Sequence, residues 1–275
     1  MESSARFSGI DRLYGRGSVA RLAQARVAIV GIGGVGSWAA EGLARSGVGH
    51  LSLIDADDIC VSNVNRQLHA LDGQFGRMKV EVMAERLRLI QPGIDVDAIA
   101  EFLTTGSLER LLLRNFDYVL DACDAFRVKV EMTAFCRRRK IPLVVVGSAG
   151  GRSDPTQIEL RDLSRTEHDA MLALVRKKLR SEFHFPKNPD RYFGVTAVCS
   201  RENVRCPQAD GSVCGLRPAS DSGGRLDCAS GSLGAATHVT ASFAFAAVGE
   251  ILPRVASSTG CPPDAPLILH PVLCS

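Results

Sequence analysis

Aromatic residues and an excess of one charge are both scarce in this chain of 275 residues. Aromatic residues make up 5%, and 33 Lys and Arg residues face 30 Asp and Glu residues, for a formal net charge of +3. Overall charge therefore does not by itself indicate a nucleic-acid partner. So few aromatic side chains also argue against a base-stacking platform of the single-strand-binding kind.

The sequence also lacks targeting and metal-binding patterns. Residues 1–17 are polar and contain no apolar core of a secretory signal, and no apolar run is long enough to cross a bilayer. Nine cysteines are scattered through both halves without a C-x-x-C pair. An odd number of unpaired cysteines is typical of reduced thiols, and it argues against a disulfide framework or a structural zinc site. We therefore expect a cytoplasmic protein with no zinc and no membrane segment.

A glycine-rich turn directly follows the first apolar run, residues 27–30. Gly31, Gly33 and Gly36 have the spacing G-x-G-x-x-G, and Gly34 lies between them. Such a turn lets a phosphate approach the backbone closely, and a helix that begins there directs its unpaired N–H groups at the anion. Asp55 ends the second apolar run about 20 residues later, where such folds place an acid that binds the ribose. The stretch predicts a nucleotide site.

Apolar runs alternate with segments of helical periodicity as far as residue 146. This alternation is typical of a doubly wound, mostly parallel sheet covered by helices. The alternation breaks down after residue 146, where a Gly/Ser/Pro-rich connection follows, so we expect an α/β, Rossmann-like fold with a C-terminal α/β extension. The predicted strands span residues 27–30, 50–54, 94–100, 118–120, 143–146, 157–163 and 195–200, and the predicted helices residues 37–46, 77–90, 107–114, 127–140, 168–183 and 231–252.

The polar residues after Asp55 favour ATP over a nicotinamide cofactor. Asn63, Arg66 and Lys79 follow it in order, and Asp124 comes after a later buried strand. A dinucleotide dehydrogenase has little use for an amide and two cations at the phosphate end. A triphosphate does, because Arg and Lys offset the charge of its β- and γ-phosphates. An acid such as Asp124 at the end of a strand can hold Mg²⁺ through oxygen ligands.

This ordered set of motifs resembles the ubiquitin-activating-like adenylyltransferase superfamily, which includes the ThiF/MoeB-like enzymes. The resemblance covers residues 6–150. It rests on the glycine turn, D-x-D from Asp55, N-x-N-R-Q from Asn63, the lysine of G-R-M-K and the D-x-x-D that ends at Asp124. Several motifs in one order are far more specific than a glycine turn alone.

The resemblance implies a role for each matching residue. Asp55 would bind the ribose, and Asn63, Arg66 and Lys79 would bind the triphosphate together with the glycines of the turn. Asp124 would hold Mg²⁺ and act as the catalytic acid. Arg12 would be the arginine that the superfamily contributes across the interface of a homodimer. Arg6 and Arg16 are alternatives for that last role.

Further motifs resemble one family within the superfamily, the tRNA threonylcarbamoyladenosine dehydratases, over residues 6–252. The resemblance implies that ATP is used to cyclise N6-threonylcarbamoyladenosine, next to the tRNA anticodon. The threonine carboxylate would be adenylated, and the carbamoyl group would then close the ring and release AMP. The motifs are R-F-S-G-x-x-R-L-Y-G from Arg6, N-R-Q-x-H-A from Asn65, C-R-R-x-K-I-P-L from Cys136, D-P-T-Q-I from Asp154, P-Q-x-D-G-S-V-C from Pro207 and D-C-A-S-G from Asp227.

With this resemblance the chain divides into three parts. Residues 1–150 are expected to form the ATP-binding adenylation part, and residues 151–255 an extension with tRNA-facing loops, packed on the same sheet. Residues 256–275 are expected to be a disordered tail. Residues 1–24 are expected to form an arginine-bearing arm, and residues 206–227 a long polar loop.

Some residues keep two interpretations. Cys228 precedes a predicted helix, whose N-terminus favours a thiolate, so it is either a catalytic or a structural thiol. His69 is more simply a structural histidine, and Gln67 is undecided. The basic strings at residues 137–140 and 176–180 are either solvated helix faces or phosphate contacts for tRNA. The resemblance also implies a monovalent cation, Na⁺ or K⁺, near residues 147–151.

The alternative enzyme function is adenylation of the C-terminal glycine of a ubiquitin-like sulfur-carrier protein. The missing C-x-x-C pairs and the D-C-A-S-G motif favour tRNA modification instead. A non-catalytic nucleotide-binding protein is disfavoured by the complete set Arg66, Lys79 and Asp124, and a nicotinamide dehydrogenase is the weakest candidate. Beyond tRNA and a second copy of the chain, a sulfur-transfer protein of a cysteine desulfurase system is a candidate partner.

Overall fold

A seven-stranded sheet organises the fold in a computed structural model, which describes residues 5–208, 210–215 and 233–257. The strands run in the order β3-β2-β1-β4-β5-β7-β6, and all pairs are parallel except β6 with β7. The predicted α/β fold with a mostly parallel sheet is confirmed. The seven strands are β1 (Arg26–Val30), β2 (His50–Ile54), β3 (Asp95–Ile99), β4 (Tyr118–Asp121), β5 (Leu143–Val146), β6 (Ile158–Asp162) and β7 (Thr196–Ser200).

Helices cover both faces of the sheet. Because β1, β4 and β5 are buried on both sides, their sequences are continuous apolar runs rather than alternating ones. The helices are α1 (Ser8–Tyr14), α2 (Ser18–Gln24), α3 (Gly36–Arg45), α4 (Lys79–Ile90), α5 (Leu108–Leu112), α6 (Phe126–Arg139), α7 (Ala170–Glu182) and α8 (Thr237–Ala256).

Each face of the sheet has its own hydrophobic core. On one face α3, α4 and α8 pack together through residues such as Leu43, Met83 and Phe243. On the other face α5, α6 and α7 contribute residues such as Leu111, Met132 and Leu172. The sheet order reverses beside β1, where β2 lies on one side and β4 on the other. Ligands of doubly wound folds bind at this reversal, outside the carboxyl ends of the strands.

The structure differs from the sequence-based expectation at both ends of the chain. The expected N-terminal arm contains two helices, α1 and α2, and the expected loop after residue 206 begins with a short ribbon, β8 (Cys206–Pro207) paired with β9 (Val213–Cys214). Helix α8 begins and ends later than predicted, at Thr237 and Ala256. Ala256, which was expected to begin the tail, is the last residue of this helix, and the rest of the loop and residues 258–275 lie outside the described residues.

Helix α8 is long and apolar enough to cross a membrane by length and composition, although inspection of the sequence found no such run. Its side chains explain the composition differently. Val239, Phe243, Ala247 and Ile251 are fully buried in the core against α3 and the sheet. The buried side of the helix therefore accounts for much of its apolar composition.

Candidate active site

One open cleft of about 1570 Å³ lies at the carboxyl ends of the strands. Its first half, the glycine-turn half, is formed by the loops after β1, β2 and β4. Its second half, the α7 half, is formed by the loop after β5, the start of α7 and the segment after β7. The glycine-turn half includes Gly31, Gly33, Gly34, Asp55, Asn63, Arg66, Lys79 and Asp124, and the α7 half includes Gly147, Ser148, Met171, Leu174, Arg176 and Asn203.

The glycines of the turn have different tasks. Gly31 has a φ of 88°, and a Cβ there would lie 2.8 Å from the carbonyl oxygen of Ala122. A Cβ on Gly36 would lie 1.8 Å from the carbonyl oxygen of Gly31, so this glycine allows α3 to begin against β1. Gly33 and Gly34 line the cleft, whereas Gly36 is not among the lining residues. Gly36 therefore has a packing task, and its predicted contact with the nucleotide stays a prediction.

Asp55 braces the glycine turn from the end of β2. One carboxylate oxygen accepts the N–H of Ile32 at 2.6 Å, and the other accepts the N–H of Asp57 at 2.9 Å. Burial raises the pKa of the Asp55 carboxyl, and the hydrogen bond from Asp57 opposes that rise. The carboxylate lines the cleft with acceptor capacity left for a ribose hydroxyl.

Lys79 forms an ion pair that the sequence did not reveal. It is the first residue of α4, and its Nζ donates to Asp57 Oδ2 at 2.6 Å. The lysine side chain is 7% exposed and the Asp57 side chain 51% exposed, so the pair opens onto the cleft. Asp57 is two residues from Asp55, a spacing that places both acids on one side of an extended chain. This spacing is the sequence signal that could have identified Asp57 as a residue of the cleft.

The Asn63–Gln67 segment presents an arginine at the cleft. Asn63 is buried in a short 3₁₀ turn, Val61–Asn63, and its Oδ1 accepts the N–H of Cys60 at 3.1 Å. Its amide NH₂ group is therefore the end that can donate to a phosphate. The guanidinium of Arg66 donates to the carbonyl oxygen of Ser62 at 2.8 Å and to Asn65 Oδ1 at 3.0 Å. These bonds orient Arg66 within the lining of the cleft.

The start of α8 holds this segment in place. The hydroxyl of Thr237 donates to the carbonyl oxygen of Asn65 at 2.6 Å, and the Asn65 amide donates to the carbonyl oxygen of Ala235 at 2.8 Å. Trp38 of α3 donates its indole N–H to the carbonyl oxygen of Arg66 at 3.1 Å. The position of Arg66 thus depends on residues about 170 positions away in the chain. No local sequence signal could have identified them.

His69 and Gln67 lie beneath the turn. His69 is fully buried, and its Nε2 donates to the carbonyl oxygen of Ile32 at 2.8 Å. Burial lowers the pKa of His69 to about 4, so the ring is neutral at physiological pH. Its Nδ1 and the Oε1 of Gln67 are buried without a hydrogen-bond partner within the described residues. His69 supports the turn and does not exchange protons near neutral pH.

Asp124 lies just before α6 and is exposed in the cleft. Behind it, Lys129 and Asp121 form a fully buried ion pair, with Lys129 Nζ 2.7 Å from Asp121 Oδ1 and 3.0 Å from the carbonyl oxygen of Val146. Burial opposes the charge on Lys129, but Asp121 outweighs it and raises the lysine pKa. The pair joins the carboxyl ends of β4 and β5. Burial also raises the pKa of the neighbouring Cys123 thiol well above its usual value, which argues against a thiolate nucleophile there.

Asp169 connects the two sides of the α7 half. Its Oδ1 accepts the N–H of Leu172 and caps α7, and its Oδ2 accepts the N–H of Ser148 at 2.8 Å. The buried guanidinium of Arg152 lies 3.8 Å from the same carboxylate and donates to the carbonyl oxygen of His168 at 2.8 Å. The loop after β5 is therefore fixed to the start of α7.

Comparison with known proteins identifies the family. The model described as the ThiF family matches residues 8–261. The chain belongs to the ThiF family. It is 48% identical to the tRNA threonylcarbamoyladenosine dehydratase of Escherichia coli (strain K12), over 91% of this chain and 93% of that protein. The resemblance predicted from the motifs is confirmed.

Solved structures of tRNA threonylcarbamoyladenosine dehydratases are also similar to this chain over most of its length. A structure described as TcdA (CsdL) matches with a TM-score of 0.84 and 45% identity, over 92% of this chain and 94% of that one. The E. coli tRNA N6-threonylcarbamoyladenosine dehydratase in complex with ATP matches with a TM-score of 0.80 and 43% identity, with the same coverage. The cleft described above thus belongs to a fold that is known with bound ATP.

One predicted catalytic residue, Arg12, does not line the cleft of its own chain. It is exposed on α1. Of the alternatives, Arg6 donates to the carbonyl oxygen of Ile90 at 2.7 Å, and Arg16 is exposed. Cys228 lies outside the described residues.

The fit of a metal ion rests on Asp124. Within the described ranges there is no group of three or more His, Cys, Asp or Glu side chains that could hold a metal ion. Mg²⁺ in nucleotide sites is usually held by one or two carboxylates together with the phosphates of the substrate. The exposed carboxylate of Asp124 fits a magnesium ion that arrives with the nucleotide.

Proposed function

We propose that the protein uses ATP to cyclise N6-threonylcarbamoyladenosine in tRNA, with net loss of water. The observation that carries this proposal is the two-part cleft. Its glycine-turn half contains the residues for ATP, and its α7 half adjoins them with room for a second reactant. The name and the ATP complex of the similar E. coli protein support the same reaction.

The first step forms an acyl-adenylate. An oxygen of the threonine carboxylate attacks the α-phosphorus of ATP, an O–P bond forms, and pyrophosphate leaves with the electrons of the broken P–O bond. Arg66 and Lys79 stabilise the negative charge on the phosphates, and the N–H groups of the glycine turn approach them from below. Asp55 holds the ribose, which aligns the α-phosphate with the carboxylate.

The second step closes the ring. A nucleophilic atom of the carbamoyl group attacks the acyl carbon, and AMP leaves with one former carboxylate oxygen. The proton of the nucleophile passes to solvent. Neither step requires a covalent bond to the protein, so the chain acts by alignment and charge neutralisation.

We propose that Asp124 holds Mg²⁺ during the first step. The ion would supply charge neutralisation at the phosphates, and Asp124 would fix its place beside them. The buried pair of Lys129 and Asp121 supports this loop from behind.

The test is a reaction of purified protein, ATP with Mg²⁺ and tRNA that carries the linear modification. We expect nucleoside mass spectrometry to show the mass of the modified adenosine falling by one water, with one AMP formed per conversion. A folded, ATP-binding protein that leaves the nucleoside unchanged would contradict the proposal. The alternative function is tested in parallel, because adenylation of a sulfur-carrier protein at its C-terminal glycine would form AMP adducts without tRNA.

A matched pair of variants links the reaction to the cleft. Lys79→Ala removes the lysine that faces the phosphates, whereas Arg77→Ala removes a cation of the same G-R-M-K motif that pairs with Glu85 outside the cleft. We expect turnover to be lost in the first variant and retained in the second. Equal activities would show that Lys79 does not act on the phosphates.

We also propose a homodimer in which Arg12 reaches the cleft of the partner subunit. Its exposure on α1, away from its own cleft, supports this arrangement. Mixing inactive Arg12→Ala and Lys79→Ala proteins would then restore about a quarter of the wild-type activity, because each mixed dimer contains one complete site. No recovery after subunit exchange would contradict the shared site.

Further proposals rest on the family resemblance. They are a ligase-type cytoplasmic enzyme, a monovalent cation (Na⁺ or K⁺) near residues 147–151, a contribution of Cys228 to turnover, and a partner from a sulfur-transfer system. The division into residues 1–150, 151–255 and 256–275 belongs with them. For Cys228→Ala we expect reduced but measurable activity in the same assay, and an unchanged rate would remove Cys228 from the site.

A further inference from the structure

We propose that the outward faces of α6 and α7, here called the α6–α7 surface, bind the RNA helix that leads to the reactive nucleoside. The inference rests on the proposed function, because it requires an RNA substrate in the cleft. It adds a location for the rest of the RNA. The argument depends on four cations: Arg127, Arg138, Lys140 and Lys177.

These four side chains are exposed and have no ion-pair partner. Within the part of the chain that the structure describes, no carboxylate lies within 4.0 Å of any of them. Some exposed arginines elsewhere are paired, such as Arg110 with Glu101 at 2.5 Å and Arg114 with Asp97 at 2.7 Å, whereas Arg12 and Arg16 have no ion-pair partner among the described residues. The positive charge of the α6–α7 surface is therefore available to an external anion.

The surface begins at the cleft. Both helices start at its rim, because Asp124 and Phe126 line the cleft at the start of α6, and Ala170 and Leu174 line it on the first turns of α7. Both helices then run away from the rim along the same face of the sheet, where they pack against each other. A ligand that occupies the α7 half can continue onto this surface.

The unpaired cations follow the same direction. On α7, Lys177 lies one turn beyond the cleft-lining Leu174 on the same side of the helix. On α6, Arg127 lies at the rim, and Arg138 lies three turns further on the same side, about 16 Å along the axis. The cations thus form an extended array rather than a single point of charge.

Acidic residues reduce the positive charge of this array only slightly. Glu131 lies on the same side of α6, and Glu182 at the end of α7 is already paired with Lys178. The surface keeps a net positive charge, although the whole chain carries only +3. The net charge of the whole chain does not reveal this local excess of positive charge.

Duplex RNA is the occupant that this chemistry fits best. Proteins hold RNA helices mainly through phosphates and 2′-hydroxyls, with Lys and Arg contacts that carry no sequence information. The reactive nucleoside in the cleft would supply recognition of the modification, and the α6–α7 surface would hold the adjoining helix. The cleft would then provide the specificity, and the α6–α7 surface would add affinity.

The test compares two double variants in binding to full-length tRNA that carries the linear modification. Arg138→Ala/Lys177→Ala removes two cations of the surface. Arg45→Ala/Arg88→Ala removes two exposed arginines from α3 and α4, the helices on the opposite face of the sheet. Fluorescence anisotropy would measure Kd at salt concentrations from about 50 to 300 mM. Over this range, binding through phosphate contacts weakens strongly as salt is added.

We expect the first variant to bind roughly 10-fold to 100-fold more weakly at low salt, with the slope of log Kd against log salt reduced by about 1.5 to 2. The control should differ from wild type by less than about 3-fold. ATP affinity should be unchanged in both, and the turnover of the first variant should recover at saturating tRNA.

Four results would overturn the inference. The first is an unchanged Kd and salt slope in Arg138→Ala/Lys177→Ala, while wild-type protein binds and converts the tRNA. This result would show that the α6–α7 surface does not bind RNA, and it would not affect the proposed function. Equal losses in the control would show that the effect is not local to α6 and α7. Wild-type protein that neither binds nor converts the tRNA would overturn this inference and the proposed function together. Binding of polyglutamate lost in the variant, with tRNA binding intact, would assign the surface to an acidic protein.

Discussion

Two lysine–aspartate pairs lie at the carboxyl edge of the sheet, and they differ in what surrounds them. Lys79 meets Asp57 at 2.6 Å in the glycine-turn half, where the Asp57 side chain is 51% exposed. Lys129 meets Asp121 at 2.7 Å, and both side chains are fully buried. The contacts have nearly the same length. Only the first pair can exchange its partner for a phosphate, because only the first one is open to solvent.

The comparison shows why geometry alone does not assign a function to an ion pair. In the Lys79–Asp57 pair the lysine is buried but the carboxylate is half exposed, so water can solvate Asp57 when a ligand takes its place beside Lys79. A buried pair cannot be broken without leaving an uncompensated charge, so it maintains the loop between β4 and α6. The predictions below test this difference, from the largest expected effect to the smallest.

The largest effect is expected for the buried pair. Lys129→Met leaves Asp121 buried without its cation, and we expect the free energy of unfolding to fall by about 3–5 kcal/mol. Urea denaturation at pH 7 measures it. In the double variant Lys129→Met/Asp121→Leu much of this loss should be recovered, because no unpaired charge remains. A loss below about 1 kcal/mol in the single variant would show that the pair does not support the fold.

The Lys79–Asp57 pair should show the opposite pattern, a large loss of rate with little change in stability. Lys79→Ala removes charge stabilisation from the phosphates, and we expect the single-turnover rate of AMP formation to fall by roughly 10²–10³-fold or more. The free energy of unfolding should change by less than about 1 kcal/mol, since the pair is partly solvated. Loss of stability without loss of rate would reverse the assignment of the two pairs.

His69 is a further buried ionisable group, beneath the glycine turn. Its pKa of about 4 in the folded protein lies below the ordinary value of 6.5, so below pH 6.5 the unfolded chain binds a proton that the folded protein does not. Its stabilising contribution is complete above pH 6.5 and declines as the pH falls towards 4. Between pH 6.5 and 5 we expect a loss of about 2 kcal/mol from this residue.

The measurement is the unfolding free energy at both pH values for wild type and His69→Gln. Glutamine keeps an N–H donor for the carbonyl oxygen of Ile32 but does not titrate. The variant should therefore lose less stability on acidification than the wild type. Parallel pH profiles would show that His69 is not held neutral in the fold.

The smallest effect is expected for Asp57→Asn. This change weakens the competition for Lys79 by a partly exposed carboxylate, whose interaction is worth about 1 kcal/mol or less. We expect the affinity for ATP, measured by calorimetry, to rise by less than about 5-fold, with stability nearly unchanged. A large loss of ATP binding would mean that Asp57 orients Lys79 rather than competing for it.

Much of the architecture was predictable from the sequence because its signals are local. The alternation of apolar runs with helical periodicity predicted the parallel sheet, and the glycine turn predicted the edge at which the cleft lies. Helix ends were less accurate, as α8 shows, because apolar small residues extend the periodic pattern without marking where the helix begins.

The motifs of the glycine-turn half were predictable for a related reason. Gly33, Asp55 and Asp124 follow strands, Asn63 lies in the loop after β2 and Lys79 begins a helix, so the topology brings them to one edge. Their order along the chain was enough to indicate ATP chemistry and the ThiF family. The sequence by itself therefore determined the fold class, the family and the edge of the sheet that bears the site.

Only the tertiary structure decided which groups meet. The hydroxyl of Thr237 contacts Asn65 across 172 positions, and Lys129 reaches both Asp121 and the end of β5. The array of Arg127, Arg138 and Lys177 likewise depends on two helices packed side by side. A side chain's partners and burial depend on segments brought together from distant parts of the chain, whereas periodicity describes only its immediate neighbours. The same aspartate–lysine pairing could therefore become an exposed phosphate site in one place and a buried support in another.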